Sequence, residues 1–306
     1  MQNFSPTHVV CADGIGGIMY AVSFIDLLRK FQDDKLRKKL IYLDVFCSQD
    51  VYRLLKSFEC INKLNIEVNK FSDLDNHIDY ILNLEKQKVA VYNLTPNDCV
   101  SKNFFDNNND FFGFTWQTVK ENKFLLEYYP FCVKKNVFLG FQSSQENIYP
   151  ELSDLINNLC DLLPDYNFDF INVNKWANKQ NINYNINCKK ENYNEFEAED
   201  IVRDFHWILN DHSYFITTDN GLSNIAYFAG KNRFLIDMRS HNPAFFLRWR
   251  QNYCDIIPSF MDNRDIARII YLCIKNPELN GIPKRALGTM SDNEIERSLL
   301  YKKPLK

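Results

Sequence analysis

Asp219, Asn220, Gly221, Leu222 and Ser223 stand between an apolar run, Tyr214–Thr218, and the helix-patterned Asn224–Ala229, with a second apolar run at Arg233–Asp237. Strand, glycine turn, helix and strand in that order make a βαβ crossover, so the segment predicts parallel strands. A helix that starts at such a turn has backbone N–H groups without intrahelical acceptors and the positive end of its dipole in the same place. Phosphate binding is the chemistry that fits. Asp219 has two readings: it bonds the turn's own N–H groups, or it accepts a bond from a sugar or ribose hydroxyl. Gly221, Leu222 and Ser223 offer backbone donors, Ser223 also reads as the cap of the next helix, and Asn224 opens that helix. Beyond the strand that ends at Asp237, Arg239 and His241 lie where strand carboxyl ends meet a ligand. Lys231, Arg233, Arg248 and Arg250 complete the main basic concentration of the second half.

A second turn of the same kind follows the apolar run Thr7–Ala12: Asp13, Gly14, Ile15, Gly16 and Gly17 precede a helical pattern from Ile18 to Phe31. Asp13 is either a turn-capping carboxylate or a general base within reach of a hydroxyl. Gly14, Gly16 and Gly17 let a backbone come close to a ligand, although a tight turn alone would also use them. His8, His77 and His212 have no partners at metal spacing, and His206 falls within a predicted helix as a packing or surface residue. No GxSxG, HExxH or P-loop sequence is present.

The elements that must carry these turns alternate. Strands are expected at Lys39–Phe46, Val89–Leu94, Lys134–Phe141 and Phe168–Val173, and helices at Asp50–Phe58, Glu151–Leu163, Ala198–Leu209 and Asn263–Lys275. Asn178–Glu195 reads as loop with a weak strand. The alternation predicts an α/β protein of two domains, 1–133 and 134–306, the second ending in a helical tail.

The 306 residues are 45% hydrophobic and 25% charged, a globular composition, and the net charge of −3 gives no electrostatic case for nucleic acid. No apolar run approaches the length that spans a bilayer, and the N-terminus lacks a signal-peptide pattern, so a cytoplasmic location is expected. The nine cysteines are scattered, without a CxxC pair or a compact disulfide framework, and read as reduced thiols.

Asp219–Ser223, followed by Ile225, Ala226 and Gly230, resembles the D-[TS]-G-x-x-H-x-A motif of the bacterial lipopolysaccharide heptosyltransferases, glycosyltransferase family 9. Gly14–Lys30 is similar to that family's opening turn and first helix. The resemblance implies the GT-B fold, two Rossmann-like domains facing across a cleft, with the acceptor held by the first and a nucleotide sugar by the second. It implies sugar transfer from a nucleotide-sugar donor to a hydroxyl acceptor on a glycan or glycoconjugate, inverting, with no metal and no cofactor. Asp13 would be the catalytic base, and Gly14, Gly16 and Gly17 would bind the acceptor. Asp219, Asn220, Gly221, Leu222, Ser223, Asn224, Arg239 and His241 would bind the donor.

Three positions depart from the family pattern. Asn224 replaces its histidine, Gly17 aligns with its aspartate, and Gln142, Ser143, Ser144 and Gln145 offer no match for a basic residue. A catalytically silent sugar-nucleotide-binding protein and a sugar-nucleotide epimerase on the same fold therefore stay open. The aromatic-rich stretch Phe104–Phe114 is either ordinary core or a peripheral membrane contact.

Overall fold

The computed structural model describes residues 6–12, 14–31, 40–73, 76–94, 119, 121–141, 151–172, 186–218, 220–237 and 255–301. The chain divides into two compact units. The first holds Met1–Phe131, Asp200–Leu209 and Asn224–Gly230; the second holds Cys132–Glu199, Asn210–Ser223 and Lys231–Lys306. Among the described residues no helix is long and apolar enough to cross a membrane.

The first unit contains strands β1 (Thr7–Ala12), β2 (Ile41–Phe46), β3 (Ile66–Phe71) and β4 (Ala90–Asn93), in the spatial order β3-β2-β1-β4. Each pairing is parallel, with Thr7 beside Ile41 and Ala90, and Ile41 beside Ile66. Parallel strands need long crossovers, supplied here by helices α1 (Ile15–Phe31), α2 (Gln49–Ser57), α3 (Glu59–Lys63) and α4 (His77–Lys86). Helix α1 is buried from Ile15 through Arg29, which its nearly unbroken apolar sequence permits. Its polar residues are matched: Ser23 Oγ donates to Val119 O at 2.8 Å, Asn122 Nδ2 to Asp26 Oδ2 at 2.8 Å, and Arg29 Nε to Leu64 O at 3.1 Å.

The sheet of this unit encloses a polar cluster. Asp44 on β2 is fully buried, with His8 Nδ1 2.6 Å from one carboxylate oxygen and Asn69 Nδ2 donating to the other at 2.8 Å. Val10, Phe46, Ile81 and Leu84 pack as an apolar cluster where α4 covers the same face.

The second unit contains β5 (Asn136–Gly140), β6 (Asn167–Asn172), β7 (Tyr193–Glu197), β8 (Tyr214–Thr217), β9 (Asn232–Asp237) and β10 (Ile256–Pro258). Their order is β10-β9-β8-β5-β6-β7, again with every pairing parallel. Counted within the unit this is 3-2-1-4-5-6, the order of the doubly wound dinucleotide-binding fold. Its helices are α5 (Leu152–Leu162), α6 (Ile201–Asp211), α7 (Gly221–Phe228), α8 (Asn263–Lys275), α9 (Lys284–Thr289) and α10 (Asp292–Tyr301), although most of α6 and, from Asn224 on, of α7 count with the first unit. The core gathers Val137, Leu139, Phe168 and Phe170 from the sheet with Leu155, Leu159, Ile266 and Ile270 from α5 and α8.

The polar cluster has a counterpart here. Asp169 on β6 takes His212 Nε2 at 2.9 Å and Asn194 Nδ2 at 2.8 Å, and His212 is fully buried. Asp44 pairs in register with Asn69, and Asp169 with Asn194, so in each unit an aspartate on the second strand faces an asparagine on the third.

The α/β class with parallel sheets is as expected from the alternation. Three local differences have physical causes. Helix α1 begins at Ile15 rather than Ile18, because Ile18 N already donates to Gly14 O at 3.2 Å, which places Gly16 and Gly17 inside the helix. Helix α7 begins at Gly221 rather than Asn224, because Asn220 caps it. The weak strand of the Asn-rich segment is the edge strand β7; Asn192 just before it donates to the carbonyls of Cys160, Leu163 and Tyr166. The short β10 and α9 were not anticipated.

His206 on α6 sits in a hydrogen-bonded chain of the first unit. Tyr129 Oη lies 2.6 Å from His206 Nδ1, and His206 Nε2 lies 2.9 Å from Ser57 Oγ. Ser57 Oγ donates to Leu54 O at 2.6 Å, so its proton is committed; the imidazole must hold its own proton on Nε2 and accept from Tyr129. The serine is therefore not an activated nucleophile. Burial holds the His206 pKa below its ordinary 6.5. Folding thus favours the neutral ring, and the stabilisation is complete above the unfolded-state pKa. As pH falls below about 6.5 the unfolded chain takes up the proton first, and stability is lost towards the lower folded-state value. A series of melting temperatures from pH ~7.5 to ~5 should fall more steeply for the native protein than for His206→Gln, whose side chain does not titrate. Parallel curves would contradict this protonation state.

Candidate functional site

In the second unit the strand order reverses between β5 and β8, which is where doubly wound sheets bind ligands. The chain leaving β8 is tied to the end of β5 by three bonds. Thr218 N donates to Gly140 O at 3.2 Å, Thr218 Oγ1 to Phe141 O at 3.1 Å, and Asn220 Nδ2 to Gly140 O at 2.7 Å. The other end of the Asn220 amide accepts from Ser223 N at 2.9 Å. One side chain thereby caps α7 and fastens the capped helix start to the neighbouring strand. Gly140 makes the close approach possible: a Cβ there would sit 2.9 Å from Cγ2 of the buried Thr217.

The donor-turn residues thus take different parts. Asn220, Gly221 and Asn224 are partly accessible, whereas Leu222 and Ser223 are buried. The Ser223 N–H already serves the cap, so Ser223 is not itself the capping residue. Arg233 on β9 is buried behind the turn; its Nη1 donates to Ser223 O at 3.3 Å and its Nη2 lies 3.4 Å from Asp255 Oδ2. It braces the first turn of α7 from inside rather than reaching outward as a surface cation. Asp219, Arg239 and His241 lie outside the described residues, as do Gln142, Ser143, Ser144 and Gln145.

In the first unit the corresponding reversal falls between β1 and β4, and α1 starts beside it. Gly14 is exposed, with no atom within 4 Å of where its Cβ would stand. Gly16 and Gly17 are buried in the first turn of α1 rather than in an open turn. Asp13 lies outside the described residues.

Charge distinguishes these two helix starts. Asp50, Glu59, Asp79, Asp154, Asp204 and Asp265 occupy the first turns of α2, α3, α4, α5, α6 and α8, where they offset the helix dipole. The first turns of α1 and α7 carry no acidic residue, a property shared only with the six-residue α9 among the helices whose first turn is described. Within the first turns of α1 and α7 no carboxylate offsets the dipole, and Asp13 and Asp219 precede them in sequence.

A feature that the sequence did not suggest lies at the carboxyl ends of β2 and β3. An open pocket of about 340 Å³ is lined by Phe46, Phe71 and Tyr80 together with Lys70, Ser72, Asp73 and Asn76. Phe46 and Phe71 stack at 4.6 Å and Tyr80 leans on Phe71 at 4.7 Å. Burial, and then the charge of the neighbouring Asp44, push the Tyr80 pKa up. Tyr80 thus brings the edge of the pocket close to the buried Asp44. An aspartate inside the otherwise apolar strand Ile41–Phe46 was the signal for the polar cluster around it.

No family model matches the chain, and no curated protein matches it. Solved structures do. A glycosyl transferase family 9 protein from Veillonella parvula aligns over 99% of this chain and 99% of its own, at 12% identity and a TM-score of 0.52. The E. coli heptosyltransferase WaaC, solved with ADP-2-deoxy-2-fluoro heptose, aligns over 89% of this chain and 99% of its own, at 8% identity and a TM-score of 0.50. The iron-containing dodecameric glycosyltransferase TibC from enterotoxigenic E. coli aligns over 77% of this chain at 12% identity and a TM-score of 0.45, and the alignment spans 59% of TibC. At these identities the likeness is one of fold. The chain has the GT-B type of α/β fold, with parallel sheets.

Asn220→Ala should destabilise the protein by about 1–2 kcal/mol in urea unfolding, through loss of the cap and of the bond to Gly140. Asn220→Ser restores a cap but not the second bond and should recover about half of that loss. Equal stability of both variants and the native protein would show that the bridge does not hold the turn.

Proposed function

We propose that the protein is a glycosyltransferase whose second unit holds the diphosphate of a nucleotide sugar at the first turn of α7. The observation that carries this reading is the acid-free start of α7, fixed by Asn220 at the strand-order reversal of a 3-2-1-4-5-6 sheet. The backbone N–H groups of Gly221 and Leu222 and the side chain of Asn224 are the proposed contacts, with Asp219 taking a sugar or ribose hydroxyl. Arg239 and His241, next in sequence after β9, complete the proposed donor set. WaaC was solved with an ADP-sugar analogue, which supports a donor of this chemical class.

Transfer with inversion would run in one displacement. The acceptor hydroxyl oxygen attacks the anomeric carbon as the bond to the diphosphate oxygen breaks, and its proton passes to Asp13. Asp13 stands in sequence between the end of β1 and Gly14 at the start of α1, and Gly14 is proposed to meet the acceptor, a glycan or glycoconjugate hydroxyl. Charge builds on the departing nucleoside diphosphate, where fixed helix amides stabilise it without reorganising. This arrangement needs neither a metal nor a cofactor, and the protein would work with reduced thiols in the cytoplasm.

The test is a panel of nucleotide sugars scored by thermal shift, then by nucleotide release with and without glycan acceptors, in the presence of EDTA. Acceptor-dependent release that persists in EDTA is expected. Binding without release would instead make the chain a sugar-nucleotide-binding protein, and release of an epimerised sugar nucleotide would make it an epimerase. Asp13→Asn should lower kcat by about 10²–10⁴-fold while leaving donor affinity unchanged. Full turnover by that variant would remove Asp13 from the mechanism.

A further inference from the structure

Nothing in the sequence pairs Cys160 with Cys188, which are separated by β6 and an Asn-rich stretch. The fold lays the segment 186–192 along α5, and four side-chain contacts set its position. Asn187 N donates to Ser153 Oγ at 3.0 Å, and Asn157 Nδ2 donates to Asn187 O at 3.1 Å. Further along, Lys190 Nζ meets Asp161 Oδ1 at 2.5 Å, and Asn192 Nδ2 donates to Cys160 O at 3.4 Å. Ser153, Asn157 and Cys160 share one face of the helix by their spacing. Cys188 lies between the two pairs of contacts, alongside the turn of α5 that carries Cys160. Cys160 is buried in the core and Cys188 packs against the same core, half-exposed.

We propose that Cys160 and Cys188 form a reversible disulfide site that reacts with hydroperoxides. The reaction balances in two steps. The Cys188 sulfur attacks one peroxide oxygen, the O–O bond breaks, and Cys188 becomes a sulfenic acid; the other oxygen leaves with the Cys188 proton, as water from hydrogen peroxide or as an alcohol from an organic hydroperoxide. The Cys160 sulfur then attacks the Cys188 sulfur, the S–O bond breaks, and the hydroxyl leaves as water with the Cys160 proton. The order follows from access. Cys188 can meet solvent, whereas Cys160 is buried out of reach of solvent oxidants. The product ties the approach to edge strand β7 onto α5. This site is independent of the α7 turn and of the proposed transfer activity.

The test uses the full-length protein, treated with hydrogen peroxide, alkylated and digested without reductant. Peptide mapping should find Cys160 and Cys188 joined in one cross-linked species, lost on treatment with dithiothreitol. Oxidation should also raise the melting temperature of the native protein, but not of Cys188→Ser, whose half-exposed position tolerates the change. In Cys160→Ser, Cys188 should be captured as a sulfenic acid by dimedone. Cross-links of Cys188 spread over other cysteines, or both thiols still alkylated when other cysteines have reacted, would overturn the proposal.

Discussion

Among the described residues every strand pairing in both sheets is parallel, and a parallel sheet cannot turn back on itself through a hairpin. Each strand must therefore hand the chain to a crossover that returns it to the same edge. Strand carboxyl ends and helix starts collect along one side of each sheet as a result. The Asn220 bridge is the local consequence in the second unit. It joins β5 to the start of α7, so the position of the helix dipole is set by the sheet and not by a free loop. The buried Arg233 adds a second attachment from β9. A site held in this way needs little rearrangement to meet an anion, which is the condition for electrostatic stabilisation of a leaving group.

The same constraint accounts for the polar interior. Strands covered on both faces are expected to be apolar throughout, yet β2 and β6 each bury an aspartate. Each is satisfied by a histidine and by an asparagine directly across the sheet. Such a group is costly unless all its partners are in register, so a one-residue slip of β3 or β7 would leave a carboxylate without its amide. The two clusters act as register pins at equivalent strands of the two units.

Much of this was legible in the sequence. The alternation of Thr7–Ala12, Ile18–Phe31 and Lys39–Phe46 gave the parallel sheet, and Asn263–Lys275 matches α8 at both ends. The turn at Asp219–Ser223 was visible as strand, glycine and helix start. Its inner division of labour was not, because capping by Asn220 and burial of Ser223 depend on Gly140, some eighty residues away in the chain. Gly16 and Gly17 looked like turn residues because glycine signals a turn and a close helix contact equally well. An aspartate within an apolar strand marked the buried cluster at Asp44, but its pairing with His8 follows from strand order and could not be read locally.

The central claim is that the first turn of α7 receives the diphosphate of a nucleotide sugar. A crystal structure with a bound nucleoside diphosphate tests it most directly. The account predicts phosphate oxygens within hydrogen-bond distance of the Gly221 and Leu222 backbone nitrogens, with Asn220 still bridging Ser223 and Gly140. A diphosphate bound away from that turn, or an Asn220 that leaves Gly140 when ligand enters, would contradict it.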